Sequence, residues 1–347
     1  MSTGILTYHN ALNYGAFLQA YALQNFLAAQ GVANVVINYK NFRFTLNEYR
    51  ALVSPRYPSY TLLNFCKVPG FWRDIRRFKL TPRIFRSSFL ERMSFDRVVF
   101  GSDSIWNYTN AMSGYDPAYF GKHIRSGRLV AYAASIGPDA AGDLCPGELA
   151  DLLGRFHALG VRDTNTKDFV RRLTGREAQI VLDPTFLYEF EKENTEPREA
   201  GYIFVYALQL TGEQGRRLQS FARAAGKQTI SVGYCNPYCD INRVCITPLE
   251  WLGYLRKADY VLTSMYHGTL LSIHFNRPFC TLGSPYRANK IQDFLSRHGL
   301  LNRMIAEQDP NFNRVLEEPL DFTPVNIQLR EERAVSGGFL TRSLTDE

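Results

Sequence analysis

The stretch "TPLEWLGYLRKADYVLTSMYHGTLLSIHFNRPF", residues 247–279, predicts a helix, a strand and a second helix in immediate succession. Thr247 can cap the first helix, Pro248 suits its first position, and Glu250 completes a capping box three residues after the cap. The buried stripe of this helix consists of Leu249, Leu252 and Leu255. The apolar residues 258–262 then predict a buried strand, so the stretch is typical of an α/β fold.

The same alternation of β-branched runs and amphipathic helical patterns extends over almost the whole chain, which indicates parallel sheets covered on both faces. Strands are predicted near residues 3–8, 33–39, 96–100, 129–134, 158–162, 179–182, 201–207, 228–233, 259–263 and 278–282. Helices are predicted at residues 15–30, 165–173, 212–225, 248–257, 267–276 and 289–298. The charged stretch "YEFEKENTEPREAG", residues 188–201, has no apolar period and lies between two series of strands. We therefore predict two α/β domains, residues 1–190 and 191–347.

Length and composition favour a globular, enzyme-sized protein over a disordered, fibrous or membrane-spanning chain. The chain has 347 residues, more than a single core usually holds, and 45% of them are hydrophobic. No apolar run reaches the roughly 18 residues of a membrane span, and the N-terminus lacks the features of a secretory signal. We therefore expect a cytoplasmic protein whose six scattered cysteines form no disulfides.

Positive charge is concentrated in one part of the chain, residues 40–92, which we call the basic aromatic segment. It holds 12 Lys or Arg against 3 acidic residues, a net +9, whereas the whole chain carries +7. The aromatic residues between these charges are Phe71, Trp72, Phe78, Phe85 and Phe89. Such a segment suits an anionic membrane surface or an anionic polymer, and the alternative is a solvated helical insertion whose aromatics pack on the core. Lipid head groups are favoured over nucleic acid, because no nucleic-acid-binding motif accompanies the segment.

Candidate site residues follow the predicted strands, since ligands in open α/β sheets bind beyond the carboxyl ends of the strands. After the first strand, Asn13, Tyr14 and Gly15 begin a helix whose N–H groups can bind an anion. The alternative role for these three residues is a helix cap with a closely packed glycine. After the third strand, Asp103 is either a base for a hydroxyl nucleophile or a cap.

Arg162 comes at the end of another strand, where its guanidinium could bind a carboxylate or a phosphate. The alternative is a salt bridge to Asp163 or Asp183.

His267 begins the helix that follows the strand at 259–263, so its imidazole lies at the end of the helix that favours anions. A bound phosphate would favour the protonated ring, which could then deliver a proton. Lys290 opens the next helix and could bind the same anion. His274, seven residues after His267 on the same helical face, is predicted to be a core histidine.

Several common chemistries lack their motifs in this sequence. There is no G-x-G-x-x-G, Walker loop, G-x-S-x-G elbow or H-E-x-x-H. The cysteines of "CNPYCDINRVC", residues 235–245, have no second cluster that would complete a tetrahedral zinc site, so no metal is expected.

Five blocks, taken in order, resemble the polysaccharide pyruvyl transferase family: "HNALNYGAFLQAYALQ", "GSDSIWN", "VRDTNTKDF", "VLDPTFL" and "YVLTSMYHGTLLSIHFNRPF". The resemblance extends from about residue 4 to residue 300. It implies a GT-B-like fold, with two Rossmann-like domains facing a central cleft. It also implies transfer of pyruvate from phosphoenolpyruvate to two hydroxyls of a sugar, which yields a cyclic ketal and phosphate and needs no cofactor.

The resemblance assigns a role to each candidate residue. His267 would be the catalytic acid, and Asp103 would orient or deprotonate the acceptor hydroxyl. The donor would be held by Arg162, Lys290, Ser264, Gly268 and Thr269. The acceptor would be contacted by Asn13, Tyr14, Gly15, Ser102 and Trp106. The sequence departs from the family pattern at Met265, where many members have an arginine.

The first hypothesis is therefore a pyruvyl transferase that acts on a cell-surface polysaccharide or lipid-linked glycan precursor, with the basic aromatic segment on the inner face of the cytoplasmic membrane. The second is a GT-B nucleotide-sugar glycosyltransferase, because that architecture binds diphosphates at the same helix N-termini. The third is a relative that binds a glycan or lipid without turnover, and Met265 motivates it.

Overall fold

The computed structural model describes residues 2–53, 58–137, 145–193, 195–283, 288–306 and 308–345. In chain order the strands are β1 (Thr3–Leu6), β2 (Asn34–Val36), β3 (Ser94–Phe100), β4 (Arg125–Ala134), β5 (Ala158–Val161), β6 (Gln179–Ile180), β7 (Tyr202–Tyr206), β8 (Gln228–Val232), β9 (Ile241–Arg243), β10 (Tyr260–Thr263), β11 (Phe279–Gly283) and β12 (Met304–Ala306). The α-helices are α1 (Tyr14–Ala29), α2 (Phe42–Ala51), α3 (Pro58–Cys66), α4 (Val68–Ile75), α5 (Leu149–Gly154), α6 (Thr164–Thr174), α7 (Gly212–Ala225), α8 (Pro248–Lys257), α9 (Tyr266–His274), α10 (Ala288–Arg297), α11 (Phe312–Glu317) and α12 (Thr323–Leu344).

The chain forms two compact units, each built on a parallel sheet. Unit 1 consists of Met1–Ala51, Ile75–Glu189 and Leu329–Glu347. Unit 2 consists of Leu52–Asp74 and Phe190–Gln328. Among the described residues, unit 1 has a six-stranded sheet in the order β2-β1-β3-β4-β5-β6, and unit 2 has one in the order β12-β11-β10-β7-β8-β9. Every strand pair is parallel, as in Rossmann-like folds.

The strand order places one topological switch point in each sheet. In unit 1 the chain passes from β1 outward to β2 and then returns to build β3 to β6 on the other side of β1. In unit 2 it passes from β7 outward to β8 and β9, then returns to build β10 to β12 on the other side of β7. Ligands of open α/β sheets bind beyond the carboxyl ends of strands at such points. We therefore expect ligand-binding residues in the turns after β1, β3, β7 and β10.

The α8 region confirms the local signals of the sequence. The Thr247 hydroxyl accepts a hydrogen bond from the Glu250 N–H, at 3.2 Å, and the Glu250 carboxylate accepts one from the Thr247 N–H, at 2.8 Å. This capping box begins α8 at Pro248 as predicted. The predicted stripe is also buried: Leu249, Leu252 and Leu255.

Two segments belong to a different unit from the one that the predicted division at 190/191 gives them. Residues 52–74 pack with unit 2, where the Asp74 carboxylate accepts a hydrogen bond from the Leu249 N–H at 3.1 Å. Residues 329–347 pack with unit 1, where the Ser336 hydroxyl accepts one from the Leu182 N–H at 2.9 Å. The chain therefore crosses between the units at both segments as well as near residue 190.

The expectation that the cysteines form no disulfides is wrong. Cys66, the last residue of α3, is bonded to Cys245, which follows β9, and their Cα atoms are 5.2 Å apart. The two cysteines are 179 positions apart in sequence and meet only because residues 52–74 fold onto unit 2. Sequence spacing gives no sign of that contact.

None of the described helices combines the length and the apolar character that crossing a membrane would require.

Candidate active site

Arg162 lies at the centre of a buried polar cluster at the carboxyl ends of the unit 1 strands. Its guanidinium donates to Asp183 at 3.3 Å, to Asp103 at 3.4 Å and to the Ser104 hydroxyl at 3.2 Å. The side chains of Arg162 and Asp183 are 1% and 0% exposed, whereas that of Asp103 is 17% exposed. The guanidinium is thus engaged by carboxylates of the chain itself. This is the salt bridge to Asp183 that the sequence left open, and it orients Asp103, the more exposed of the two carboxylates.

Asp103 follows β3 at the switch point of unit 1, in a turn that demands unusual backbone geometry. Gly101 has a φ of +120°, and a Cβ there would lie 2.1 Å from the Tyr132 carbonyl oxygen. Asp103 itself has a φ of 83°, and its carbonyl accepts a hydrogen bond from the Ser135 N–H at 3.0 Å. Turns rather than a helix follow it, so its carboxylate is not a helix cap. The turn therefore holds the carboxylate at the strand end.

Ser102 belongs to the buried part of the same cluster. Its N–H and its hydroxyl each lie 3.1 Å from the side-chain oxygen of Gln19, and its hydroxyl lies 3.4 Å from the Asp183 carboxylate. The Gln19 amide in turn donates to the Thr7 hydroxyl at 3.0 Å, and that hydroxyl donates to the Ser102 carbonyl at 2.9 Å. Ser102 is fully buried, and these hydrogen bonds hold the turn in place. Its acceptor contact stays a prediction.

The other predicted acceptor residues differ in exposure. Asn13 is exposed and caps α1, accepting a hydrogen bond from the Ala16 N–H at 3.0 Å. Tyr14 and Gly15, which follow it, are buried. The Trp106 side chain is fully buried too, and its indole N–H donates to the Tyr119 carbonyl at 3.0 Å. This indole is part of the core of unit 1, and the acceptor contact of Trp106 stays a prediction.

In unit 2, the turn from β10 to α9 lies at the switch point. The Thr263 hydroxyl accepts a hydrogen bond from the Met265 N–H at 3.0 Å and donates one to the Tyr206 carbonyl, at the end of β7, at 2.9 Å. A Cβ on Gly268 would lie 2.3 Å from the Thr263 hydroxyl oxygen and 3.1 Å from the Tyr206 ring. Glycine at 268 therefore lets the first turn of α9 pack directly on the strand ends.

His267 lies on this first turn, beside an aromatic ring that also contacts Lys290. Its imidazole meets the ring of Tyr266 edge to face, with the ring centroids 5.2 Å apart. The Lys290 ammonium, from the first turn of α10, lies 5.0 Å from the centroid of the same Tyr266 ring. Met265, at the cap position of α9, provides no side-chain hydrogen bond to the first turn. His267 and Lys290 therefore both contact the Tyr266 ring at the N-terminus of α9, a helix end that favours anions.

The remaining predicted donor residues shape this turn. The Thr269 hydroxyl is buried, donates to the Met265 carbonyl at 3.1 Å and lies 2.8 Å from the Thr281 hydroxyl. The Thr269 hydroxyl is thus engaged within the core, and its donor contact stays a prediction. Ser264 is also buried, and its N–H donates to the Tyr206 carbonyl at 3.1 Å.

His274 confirms its predicted place in the core. It is buried, and its ring packs against Phe190 and Phe275 at centroid distances of 6.2 and 4.6 Å.

The sequence also matches the family model of the polysaccharide pyruvyl transferases over residues 13–285. The chain belongs to the polysaccharide pyruvyl transferase family. The matched range contains Asn13, Asp103, Arg162 and His267, and it ends before Lys290. No curated protein matches the sequence.

Solved structures that resemble this pyruvyl transferase family member share its fold at low sequence identity. UDP-GlcNAc 2-epimerase from Methanocaldococcus jannaschii has a TM-score of 0.52 at 14% identity, with 100% of both chains covered. Arabidopsis thaliana UGT89C1 complexed with UDP-L-rhamnose has a TM-score of 0.51 at 12% identity, with 98% of both chains covered. UDP-GlcNAc 2-epimerase from Neisseria meningitidis bound to UDP-GlcNAc has a TM-score of 0.51 at 10% identity, with 99% of this chain and 98% of the other covered. They confirm the predicted GT-B-like α/β fold with two Rossmann-like units.

Within the described ranges, no group of three or more His, Cys, Asp or Glu side chains is placed to hold a metal ion.

Sequence reasoning missed several residues of the two clusters, among them Thr7, Gln19, Ser104, Thr263 and Tyr266. Gln19 interrupts an otherwise apolar helix start, "YGAFLQAYALQ", and a polar residue on such a buried helix predicts a buried hydrogen-bonding partner. Tyr266 precedes the family histidine but has no spacing signal of its own.

Proposed function

We propose that this protein transfers the pyruvyl group of phosphoenolpyruvate to two hydroxyls of a sugar, with formation of a cyclic ketal and release of phosphate. Membership of the polysaccharide pyruvyl transferase family supports the transferase class. The observation that carries the proposal is the contact of His267 and Lys290 with one ring, Tyr266, at the N-terminus of α9. An acid such as His267, together with the Lys290 ammonium and the positive end of the α9 dipole, suits a substrate that carries both a phosphate and a carbon to be protonated.

The proposed reaction proceeds through C2 of phosphoenolpyruvate. His267 gives a proton to the methylene carbon of phosphoenolpyruvate, and the neighbouring carbon, C2, becomes electron-poor. The first acceptor oxygen bonds to C2 and loses its proton to a base. The bond between C2 and the phosphate oxygen then breaks, and its electron pair leaves with phosphate. The second acceptor oxygen bonds to C2, and its proton passes to the departing phosphate.

The proposed roles are assigned within each unit by itself. In unit 2, Lys290 and the first-turn N–H groups of α9 stabilise the negative charge that accumulates on the phosphate. In unit 1, Asp103 accepts the proton of the acceptor hydroxyl, or orients that hydroxyl. Arg162 acts through Asp103, because its guanidinium holds the carboxylate and is itself buried. Arg162 is therefore a positioning residue in this proposal rather than a ligand of the donor.

The proposed acceptor is a polysaccharide or lipid-linked glycan precursor at the inner face of the cytoplasmic membrane. The family description supports a polysaccharide product. A lipid-linked precursor would also explain why the chain has the basic aromatic segment.

The test measures phosphate release from phosphoenolpyruvate across a panel of sugar acceptors. In deuterium oxide the ketal methyl group should gain one deuteron, because its third hydrogen comes from solvent through His267. His267→Gln should abolish phosphate release and deuterium incorporation. The matched control is His157→Gln, since His157 is exposed and lies in the connection between α5 and β5.

Three outcomes would contradict the proposal. Full turnover by His267→Gln would exclude the mechanism. Thermal stabilisation by nucleotide sugars and not by phosphoenolpyruvate would favour a nucleotide-sugar glycosyltransferase. Glycan binding without phosphate release, with every acceptor of the panel, would favour a relative that lacks turnover.

A further inference from the structure

Exposed apolar side chains are concentrated in and around the basic aromatic segment. Of the thirteen large hydrophobic side chains that are exposed within the described ranges, nine lie between residues 42 and 89. They are Phe42, Leu46, Val53, Leu62, Leu63, Phe65, Trp72, Phe85 and Phe89. Single exposed apolar residues are normal on a protein surface, but a concentration of this kind marks an interaction site.

Four of these nine side chains belong to α3 and α4 of unit 2: Leu62, Leu63, Phe65 and Trp72. The two helices are held firmly in place. Leu62 on α3 is 76% exposed, and Trp72 on α4 is 52% exposed. On the opposite face of α4, Phe71 and Asp74 are buried, and Asp74 is bonded to the backbone of α8. The disulfide at Cys66 fixes the end of α3. Leu62 and Trp72 are therefore displayed by an anchored element and are not exposed because a loop is loose.

In unit 1, residues 76–92 form a basic surface along the outer edge of the sheet. Residues 76–92 are bonded to the chain that follows β2 by backbone hydrogen bonds, including one from the Ile84 N–H to the Asn38 carbonyl at 2.9 Å. Six cations lie in this range, and Glu91 is its one acidic residue, so the range carries 6 − 1 = +5. The cations are Arg76, Arg77, Lys79, Arg83, Arg86 and Arg92, and all are exposed.

Aromatic rings lie among these cations. The Arg92 guanidinium lies 4.3 Å from the centroid of the exposed Phe89 ring, and that of Arg83 lies 6.0 Å from Phe85. Cations stacked beside exposed rings suit the head-group region of a membrane, where the rings contact acyl chains and the cations contact lipid phosphates.

We propose that the basic aromatic segment binds the surface of an anionic lipid bilayer. The cations alone would suit any polyanion, including nucleic acid. Exposed aliphatic residues decide between the two, because Leu62 and Leu46 gain free energy only in an apolar medium and have no stacking role on a base. Binding to the bilayer does not depend on the proposed function. Its biological role does, because that role is to bring the enzyme to a lipid-linked acceptor.

Trp72 makes the proposal directly measurable. The chain has three tryptophans, and the other two, Trp106 and Trp251, are fully buried. A blue shift of tryptophan emission on addition of vesicles therefore reports the transfer of Trp72 into an apolar environment. Full-length protein should show this shift, and sediment with vesicles, when phosphatidylglycerol is mixed into phosphatidylcholine but not with phosphatidylcholine alone.

Variants of matched charge test the contribution of the cations. Each basic residue near an anionic surface contributes about fivefold to binding, so the triple variant Arg83→Gln, Arg86→Gln, Arg92→Gln should bind about a hundredfold more weakly. The control is the triple variant Arg216→Gln, Arg217→Gln, Arg223→Gln on the exposed face of α7, which changes net charge equally and should bind as wild type.

A second pair of variants tests the apolar contribution. Leu62→Ser should weaken binding, whereas Leu208→Ser, which alters an exposed leucine of unit 2 outside the segment, should not.

Several results would overturn the proposal. These are equal weakening by the two triple variants, binding to neutral vesicles as tight as to anionic ones, and binding to RNA or heparin that exceeds vesicle binding and leaves Trp72 emission unchanged. His267→Gln should bind vesicles like wild type. Failure of the proposed function and failure of lipid binding are therefore separate results.

Discussion

Replacing Arg162 by methionine removes the cation from a cluster that excludes water. The variant Arg162→Met keeps most of the side-chain volume but leaves the Asp183 carboxylate, which is fully buried, without the guanidinium that now lies 3.3 Å away. Removing one partner of a buried ion pair costs about 3–5 kcal/mol, because the remaining charge is not solvated. We expect unit 1 of Arg162→Met to lose about 4 kcal/mol of unfolding free energy, which is a large part of the stability of an ordinary domain.

The second half of the cycle removes the carboxylate. Asp183→Asn keeps an oxygen that can accept the hydrogen bond of the Thr185 N–H, now 3.1 Å long, and leaves Arg162 bonded to Asp103 and Ser104. We expect a smaller loss of about 1–3 kcal/mol. The double variant should be more stable than the sum of the single losses predicts, by about 2 kcal/mol, because neither charge is then left buried alone.

The assay has to report on unit 1 separately, since two units need not unfold together. Trp106 is buried in unit 1, whereas Trp72 and Trp251 belong to unit 2. Urea unfolding of chains in which Trp72 and Trp251 are phenylalanine would therefore follow unit 1 through Trp106 fluorescence. A loss below about 1 kcal/mol for Arg162→Met, together with additive effects in the double variant, would refute the buried pair.

Further predictions concern pH, the disulfide and the α9 turn. Burial lowers the pKa of His9 from 6.5 to about 4, so the unfolded chain binds a proton in this range that folded unit 1 does not. Unit 1 should lose up to about 3 kcal/mol as the pH falls from 6.5 to 4, and pH-dependent urea unfolding of His9→Gln should show a smaller loss. Denatured protein should yield four reactive thiols before reduction and six after it. Reduction of the Cys66–Cys245 disulfide should lower the unfolding free energy of unit 2 by at most about 5 kcal/mol in calorimetry, because the bond spans 179 positions. In Gly268→Ala the new Cβ would lie 2.3 Å from the Thr263 hydroxyl oxygen. We expect calorimetry of this variant to show a loss of about 1–3 kcal/mol in the unfolding free energy of unit 2, and the activity assay to show no phosphate release.

The sequence predicts those elements whose signals are local. Helix α8 was predicted with its observed bounds because Thr247 and Glu250 form a capping box, and α7 was predicted with its observed bounds as well. By contrast, β9 and β12 have three residues each and lie at sheet edges, so neither has an apolar run to reveal it. Helix α12 has apolar and polar residues on all faces, and its 22 residues therefore show no helical period.

Within the site, the sequence predicts positions at strand ends better than it predicts partners. Asp103 and His267 do follow strands at the two switch points, as the alternation of strands and helices indicates. The partner of Arg162 could not be chosen, because Asp183 approaches it only when β5 and β6 pair in register. The acceptor contact predicted for Trp106 rests on its place soon after Asp103 in sequence. The sequence does not reveal that the connection between β3 and β4 turns this indole into the core of unit 1.

The substitution at Met265 changes less of the α9 turn than its place in the family pattern suggests. The Thr263 hydroxyl bonds the turn to β7, and the absence of a Cβ at Gly268 lets the first turn of α9 pack on the strand ends. Neither contact involves the side chain of residue 265. What the methionine removes is a cation beside His267. Lys290 places an ammonium over the ring of Tyr266, the same ring that His267 contacts, so positive charge still reaches the first turn of α9. Thr263 and Gly268 build the turn without the side chain of residue 265, and a neighbouring helix supplies positive charge to it. We therefore expect turnover rather than glycan binding alone.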